Sequence, residues 1–144
     1  MAKKVFDVAD YILHSLGSMS AMKLQKLVYY SQAWSLVWDE KQLFPDEIEA
    51  WANGPVVRAL YNKHRGHFRV TPRFFGGDIS NLSINEKGTI DKVLEFYGPK
   101  DPQWLSNLTH LEAPWREARQ GLDAGERGNS VITKEAMLEY YASL

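Results

Sequence analysis

Residues 51–61 read Trp51-Ala-Asn-Gly-Pro-Val-Val-Arg-Ala-Leu-Tyr61. Asn53 and Gly54 suit a helix N-cap, and Pro55 suits a first helical turn, where its missing N–H would have no partner. Val57, Leu60, Tyr61 and His64 follow at helical spacing, and Gly66 can close the helix in a left-handed conformation. The stretch therefore predicts an aromatic-bearing strand or loop turned sharply into a short helix. Such a turn would also offer backbone N–H groups to an anion, with Arg58 one turn inside. The plainer reading is a tight turn whose Gly and Pro meet backbone needs alone.

Upstream, Ile48-Glu49-Ala50-Trp51 alternates like a short strand after the Phe44-Pro45 turn signal. Before it, Ser20 can cap a helix running to about Trp38. That helix carries two apolar stripes, one through Leu24, Leu27, Val28, Ser31 and Ser35, the other through Tyr30, Ala33, Trp34 and Val37. Two stripes imply packing on more than one side, which makes this helix the central element. A first helix over Val5 to Leu16 carries Ala9, Ile12, Leu13 and Leu16 on one face, and Gly17 stops it.

Downstream, residues 69–75 could be extended, with Pro72 confining them to a sheet edge. Gly76 to Leu82 reads as loop. Ser83-Ile-Asn-Glu86 is a capping box ahead of Ile90, Val93, Leu94 and Tyr97, with Gly98 as the stop. Asp101-Pro102 opens the next helix, followed by Leu105, Leu108 and Leu111. Pro114 ends or kinks it and starts a short helix reaching Gly121. A polar, Gly-rich loop from Gly121 to Ser130 follows. Thr133 caps a last helix, with Ile132 and Met137 as a hydrophobic staple, and Tyr140, Tyr141 and Leu144 would dock it or form part of an exposed face. The fold class is mainly α: one domain over residues 1–144, six to seven helices, and a minor two-stranded β element.

The 144 residues suffice for one sizeable core, and a net charge of −1 gives no general case for nucleic-acid binding. Locally the balance differs: residues 50–77 hold no acid but include Arg58, Lys63, Arg65, Arg69 and Arg73. Such a run would suit nucleic acid or an acidic partner, but no groove-reading motif accompanies it, and charge runs usually face solvent. Without Cys there is no disulfide, as in a reducing cytosol. Asp7 and Asp10 interrupt any signal peptide, and no run is apolar enough to span a membrane, so the expected location is the cytoplasm.

Three blocks carry a family resemblance: Met22-Lys-Leu-Gln-Lys-Leu-Val-Tyr-Tyr-Ser-Gln-Ala-Trp34, the Trp51–Tyr61 stretch, and His110-Leu-Glu-Ala-Pro-Trp115. Their order and spacing resemble the Panacea domain of SocA-like or GepA-like antitoxins, over nearly the whole chain. The matching positions are Leu24, Leu27, Tyr30, Trp34, Trp51, Gly54, Pro55, Val56, His110, Pro114 and Trp115. The resemblance implies an antitoxin, encoded beside its toxin or carried on mobile elements and prophages. It implies neutralisation of the cognate toxin protein by direct binding. Toxins that block translation are the class implied.

A binding surface needs aromatic or Arg anchors. Residue type and position nominate Tyr30, Trp38, Arg58, Tyr61 and Arg65, then Trp104 and Trp115. An aromatic groove could be lined by Trp34, Trp38, Trp51 and Tyr61, of which Trp34 and Trp51 read as core and Trp38 as the more exposed. Two other function classes compete. One is an adaptor that delivers its partner to a protease. The other is a hydrolase using His110 and Glu112 as acid and base. No nucleophile elbow or phosphate loop supports the second, and four His without HExxH spacing offer no metal site. No cofactor is expected. His110 reads instead as a half-buried, hydrogen-bonded residue joining two helices.

Overall fold

The computed structural model describes residues 3–144. The order of elements is α1 (Lys4–Leu16), β1 (Met19–Ser20), α2 (Ala21–Trp38), β2 (Ile48–Trp51), β3 (Gly54–Val56), α3 (Arg58–His64), β4 (Arg69–Val70), a 3-10 turn (Ile79–Asn81), α4 (Ile84–Tyr97), α5 (Pro102–Leu111), α6 (Ala113–Ala118), β5 (Val131–Ile132) and α7 (Lys134–Ala142). The fold is mainly helical, as expected.

Helix α2 is the axis of the molecule. Every residue from Leu24 to Ala33 is buried, and α1, α4, α5, α7 and β3 all pack around it. A helix buried on all sides must satisfy its polar side chains internally. Two glutamines seven residues apart do so by clamping backbone. Gln25 accepts from Val57 N (2.9 Å) and donates to Val57 O (3.3 Å). Gln32 accepts from Leu43 N (2.6 Å) and donates to Phe44 O (2.8 Å). Ser31 and Ser35 donate to the carbonyls of Leu27 and Lys41.

Four of the predicted caps hold. Ser20, Asp101 and Thr133 each accept from a first-turn N–H, and Ser83 with Glu86 forms the reciprocal box. Ile132 and Met137 are both buried, as a staple requires. Two buried acids of α1 organise a distant loop: Asp10 accepts from Phe75 N and Gly77 N, and Asp7 from Asp78 N. Gly77 lies so close to α1 that a Cβ there would stand 2.6 Å from the Phe6 carbonyl.

The β structure is larger than the sequence suggests. Strand β2 pairs antiparallel with β3 on one side and β5 on the other, and β1 pairs with β4. Only Arg69 and Val70 of the predicted extended stretch are strand; Thr71 to Phe75 turn back toward α1. Of the residues expected either to dock the last helix or to form an exposed face, Tyr141 docks it and Leu144 is exposed, as is Leu111 on α5. The break between α5 and α6 falls at Glu112, and Pro114 sits in the first turn of α6.

The largest correction concerns Asn53-Gly54-Pro55. It caps no helix. Trp51 and Gly54 form the last pair of a hairpin, with Ala52-Asn53 as its two-residue loop. Pro55 is tolerated because β3 is an edge strand. Helix α3 begins at Arg58, after Val57, with no side-chain cap. Gly66 does close it, at φ 85°.

Candidate functional site: a cationic cleft beside the hairpin

The β2–β3 hairpin is held from outside by side chains of α5 and α6. Ser106 donates to Asn53 O (2.7 Å), Trp115 Nε1 to Trp51 O (2.8 Å) and Arg119 Nη1 to Ala50 O (3.1 Å). From inside it meets Lys26. The lysine stem crosses Gly54 so closely that a Cβ there would lie 2.5 Å from Lys26 Cε and 3.3 Å from Thr109 Oγ1. Gly54 also has φ 129°, which strains any residue with a Cβ. Two constraints thus select glycine at this position.

Between α2, the hairpin and α3 opens a cleft of about 700 Å³. Gln25 and Lys26 line its α2 side, Trp51 and Asn53 the hairpin side, Arg58, Tyr61 and His64 the α3 side, and Arg127 to Asn129 the rim. Its charged lining is all basic: Lys26, Arg58 and Arg127. Arg58 is held by Glu49, which takes Nε at 3.2 Å and Nη2 at 2.8 Å. Its guanidinium lies 5.5 Å from the Trp51 ring centroid. Trp51 Nε1 donates to the same carboxylate (2.8 Å) and its ring meets Tyr61 edge-on. Partial burial works against the Glu49 carboxylate, but the bonds from Arg58 and Trp51 outweigh it and keep its pKa below the ordinary range.

Lys26 is 2% exposed. Burial pulls its pKa from 10.5 down to about 8, and no carboxylate counters that pull. His64 on α3 lines the same cleft. Gln25 Oε1 is committed to Val57 N–H, so Gln25 Nε2 is what meets His64 Nε2 at 3.0 Å. An amide N–H needs an acceptor, so His64 is neutral here with its proton on Nδ1. Burial lowers its pKa accordingly, and His67 adds to the effect.

The residues nominated as contacts separate into three groups. Tyr30 is corrected as a surface residue: it is fully buried, its hydroxyl donates to Glu112 Oε1 (2.7 Å), and its ring stacks on Tyr97. Trp115 is buried too. Arg58 and Tyr61 line the cleft, and Arg65 is exposed just past α3. Trp38 and Trp104, 44% and 40% exposed, lie on another face. There Lys92 sits over Trp38 (5.6 Å), and Lys100 sits over both Phe96 (5.5 Å) and Trp104 (4.8 Å). Lys92 and Phe96 are one turn apart on α4, which places the Trp38–Lys92 pair and the Phe96–Lys100–Trp104 group side by side as an aromatic ladder. Trp34 lies under it, stacked on Trp38 at 5.0 Å and donating to Tyr97 OH. Sequence reading singled out neither Phe96 nor the two lysines; the only signal was an apolar residue off the stripe of α4.

His110 and Glu112 do not form an acid–base pair. Glu112 Oε1 accepts from Tyr30 and Tyr141 (2.7 Å each), and Tyr141 also meets Tyr29 at 2.9 Å. Burial raises the Glu112 pKa, opposed by those two hydrogen bonds. His110 stacks on Trp115 at 4.0 Å, and its Nε2 has no hydrogen-bond partner among the described residues. The expected half-burial of His110 holds, and its ring is fixed by stacking on Trp115 and by the nearby backbone of Ala52 and Asn53. Burial, then Lys26 and Arg119, lower its pKa. Among the described residues no group of three or more His, Cys, Asp or Glu is placed to hold a metal ion, and no helix is long and apolar enough to cross a membrane.

Over residues 24–116 the chain matches the family described as antitoxin SocA-like, Panacea domain. It belongs to that family. The match runs from the axis of α2 through the hairpin, α3, α4 and α5 to Trp115. No curated protein and no solved structure gives a significant match.

Proposed function

We propose that this protein is the antitoxin of a toxin–antitoxin pair, acting in the cytoplasm by binding its toxin protein directly. The observation that carries this reading is family membership across the axial helix, the hairpin and the His110–Trp115 block. Helices α1 and α7 lie outside the match yet pack on α2, which supports reading residues 1–144 as one functional unit. A toxin that blocks translation fits the family best.

The face that suits a protein partner is the Trp38–Lys92–Phe96–Lys100–Trp104 ladder. Exposed tryptophans are the residue type most enriched among interface hot spots. Here cation–π contacts hold them in fixed geometry, which lowers the ordering cost of binding. Such a face would take an apolar or acidic patch, because its charged members are lysines.

The test is co-expression with the growth-inhibiting protein encoded beside it. Growth should stop with that protein alone, resume when both are made, and yield a complex on purification. Rescue without a complex would favour delivery to a protease instead. Absence of rescue would remove the antitoxin reading.

A further inference from the structure

We propose that the cleft between α2, the hairpin and α3 is a binding site for a small organic anion of about nucleotide size, its phosphate or carboxylate seated on Lys26. The assignment is independent of the toxin and of the aromatic ladder, which lies on another face.

A lysine ammonium this deep normally has a carboxylate or several carbonyls around it, because an ion leaving water without compensation is costly. Among the described residues Lys26 makes no salt bridge, and no acid lines the cleft it faces. The protein nonetheless holds the ammonium in place: Gly54 leaves room for the stem, at the expense of a backbone conformation that only glycine adopts comfortably. An anion entering the cleft would supply the missing counter-charge. Arg127 in the lining adds positive potential along the approach, while the charge of Arg58 is offset by Glu49.

The rest of the lining fits the body of such a ligand. The volume of about 700 Å³ falls within the range of small-molecule sites and far exceeds what an inorganic ion would fill. Trp51 and Tyr61 give an apolar, aromatic wall, while Asn53, Gln25 and Asn129 offer neutral polar groups. Gln25 is already fixed by Val57 and His64. The side chains free to select among ligands are therefore Asn53 and Asn129.

Proton linkage separates Lys26 from the arginines. The titratable or charged groups around it are His110 on α5, His64 and Arg58 on α3, Glu49 on β2 paired with Arg58 and held ionised, and Arg127 in the lining. Burial keeps both histidines below their usual range, and the arginines stay charged. Between pH 7 and 9 the one group among these that changes charge is Lys26, with its pKa of about 8. An anion bound to the ammonium must lose affinity as pH rises through that value.

The experiment is calorimetric titration of the full chain with AMP, inorganic phosphate and succinate at low salt, repeated at pH 7 and pH 9 and with Lys26→Met. Methionine keeps the apolar stem and removes the charge, and a thermal melt checks that the variant is folded. Binding of AMP or succinate that weakens about tenfold or more in Lys26→Met, and weakens from pH 7 to pH 9, is the expected result. AMP binding without succinate binding would assign a phosphate ligand, and the reverse a carboxylate. Absence of binding by all three probes overturns the site. So does binding that Lys26→Met or the higher pH leaves unchanged, since the anion would then rest on the exposed arginines.

Discussion

Lys26 and Glu112 are two buried charges with opposite circumstances. Glu112 receives two hydroxyl donors, which partly offset the burial that raises its pKa. Lys26 has no acceptor or counter-charge among the described residues, so its charge opposes folding. Its folded pKa of about 8 lies below the ordinary 10.5. The penalty is therefore complete below pH 8 and fades as pH rises toward 10.5, a change on the order of 3 kcal/mol. Lys26→Met is accordingly expected to raise stability at pH 7 by about 1–3 kcal/mol and to remove the gain between pH 8 and 10, read by denaturant melts at each pH. At Glu112 the account predicts a contrast. Glu112→Gln keeps an acceptor for Tyr30 and Tyr141 and should change stability by less than about 1 kcal/mol. Glu112→Ala leaves the hydroxyls without that acceptor and opens a cavity, and should cost about 2–4 kcal/mol.

The hairpin is the element on which sequence and structure part. Caps at Ser20, Ser83, Asp101 and Thr133 were legible because a cap is decided within four residues. Helix α2 was legible as central because two apolar stripes admit no other placement. The Asn53-Gly54-Pro55 signal is equally local, but a turn entering a helix and a turn within a hairpin use the same residues. The choice was made at long range, by β2 pairing, by Gln25 taking both polar groups of Val57, and by Lys26 needing the space over Gly54. Strands β1, β4 and β5 are two residues each, too short for any alternation to register. Lys26 escaped notice because a lysine beside an apolar stripe ordinarily reaches solvent. Gly54→Ala is expected to lose about 2–4 kcal/mol through its positive φ and the collision with the Lys26 stem. An equal loss in a Lys26→Ala background, which removes the stem, would show that backbone strain alone sets the cost; a smaller loss would confirm the collision.

In the whole molecule, the all-round burial of α2 ties two faces to one rigid axis: the cationic cleft along residues 22–26 and the aromatic ladder at Trp38. The family was legible from three blocks of sequence, but neither face was, because each is assembled from elements distant in the chain. The proposed division assigns the toxin to the ladder and a small anion to the cleft. The most direct measurement is the affinity of the purified chain for the purified toxin, for wild type and for Trp38→Ala with Trp104→Ala, with folding verified by thermal melt. The account predicts a stable complex for the wild type and a loss of about 30-fold or more in the double variant, the effect of removing hot-spot aromatics. Absence of binding by the wild-type chain would contradict direct neutralisation, and full affinity in the double variant would contradict the ladder as its surface.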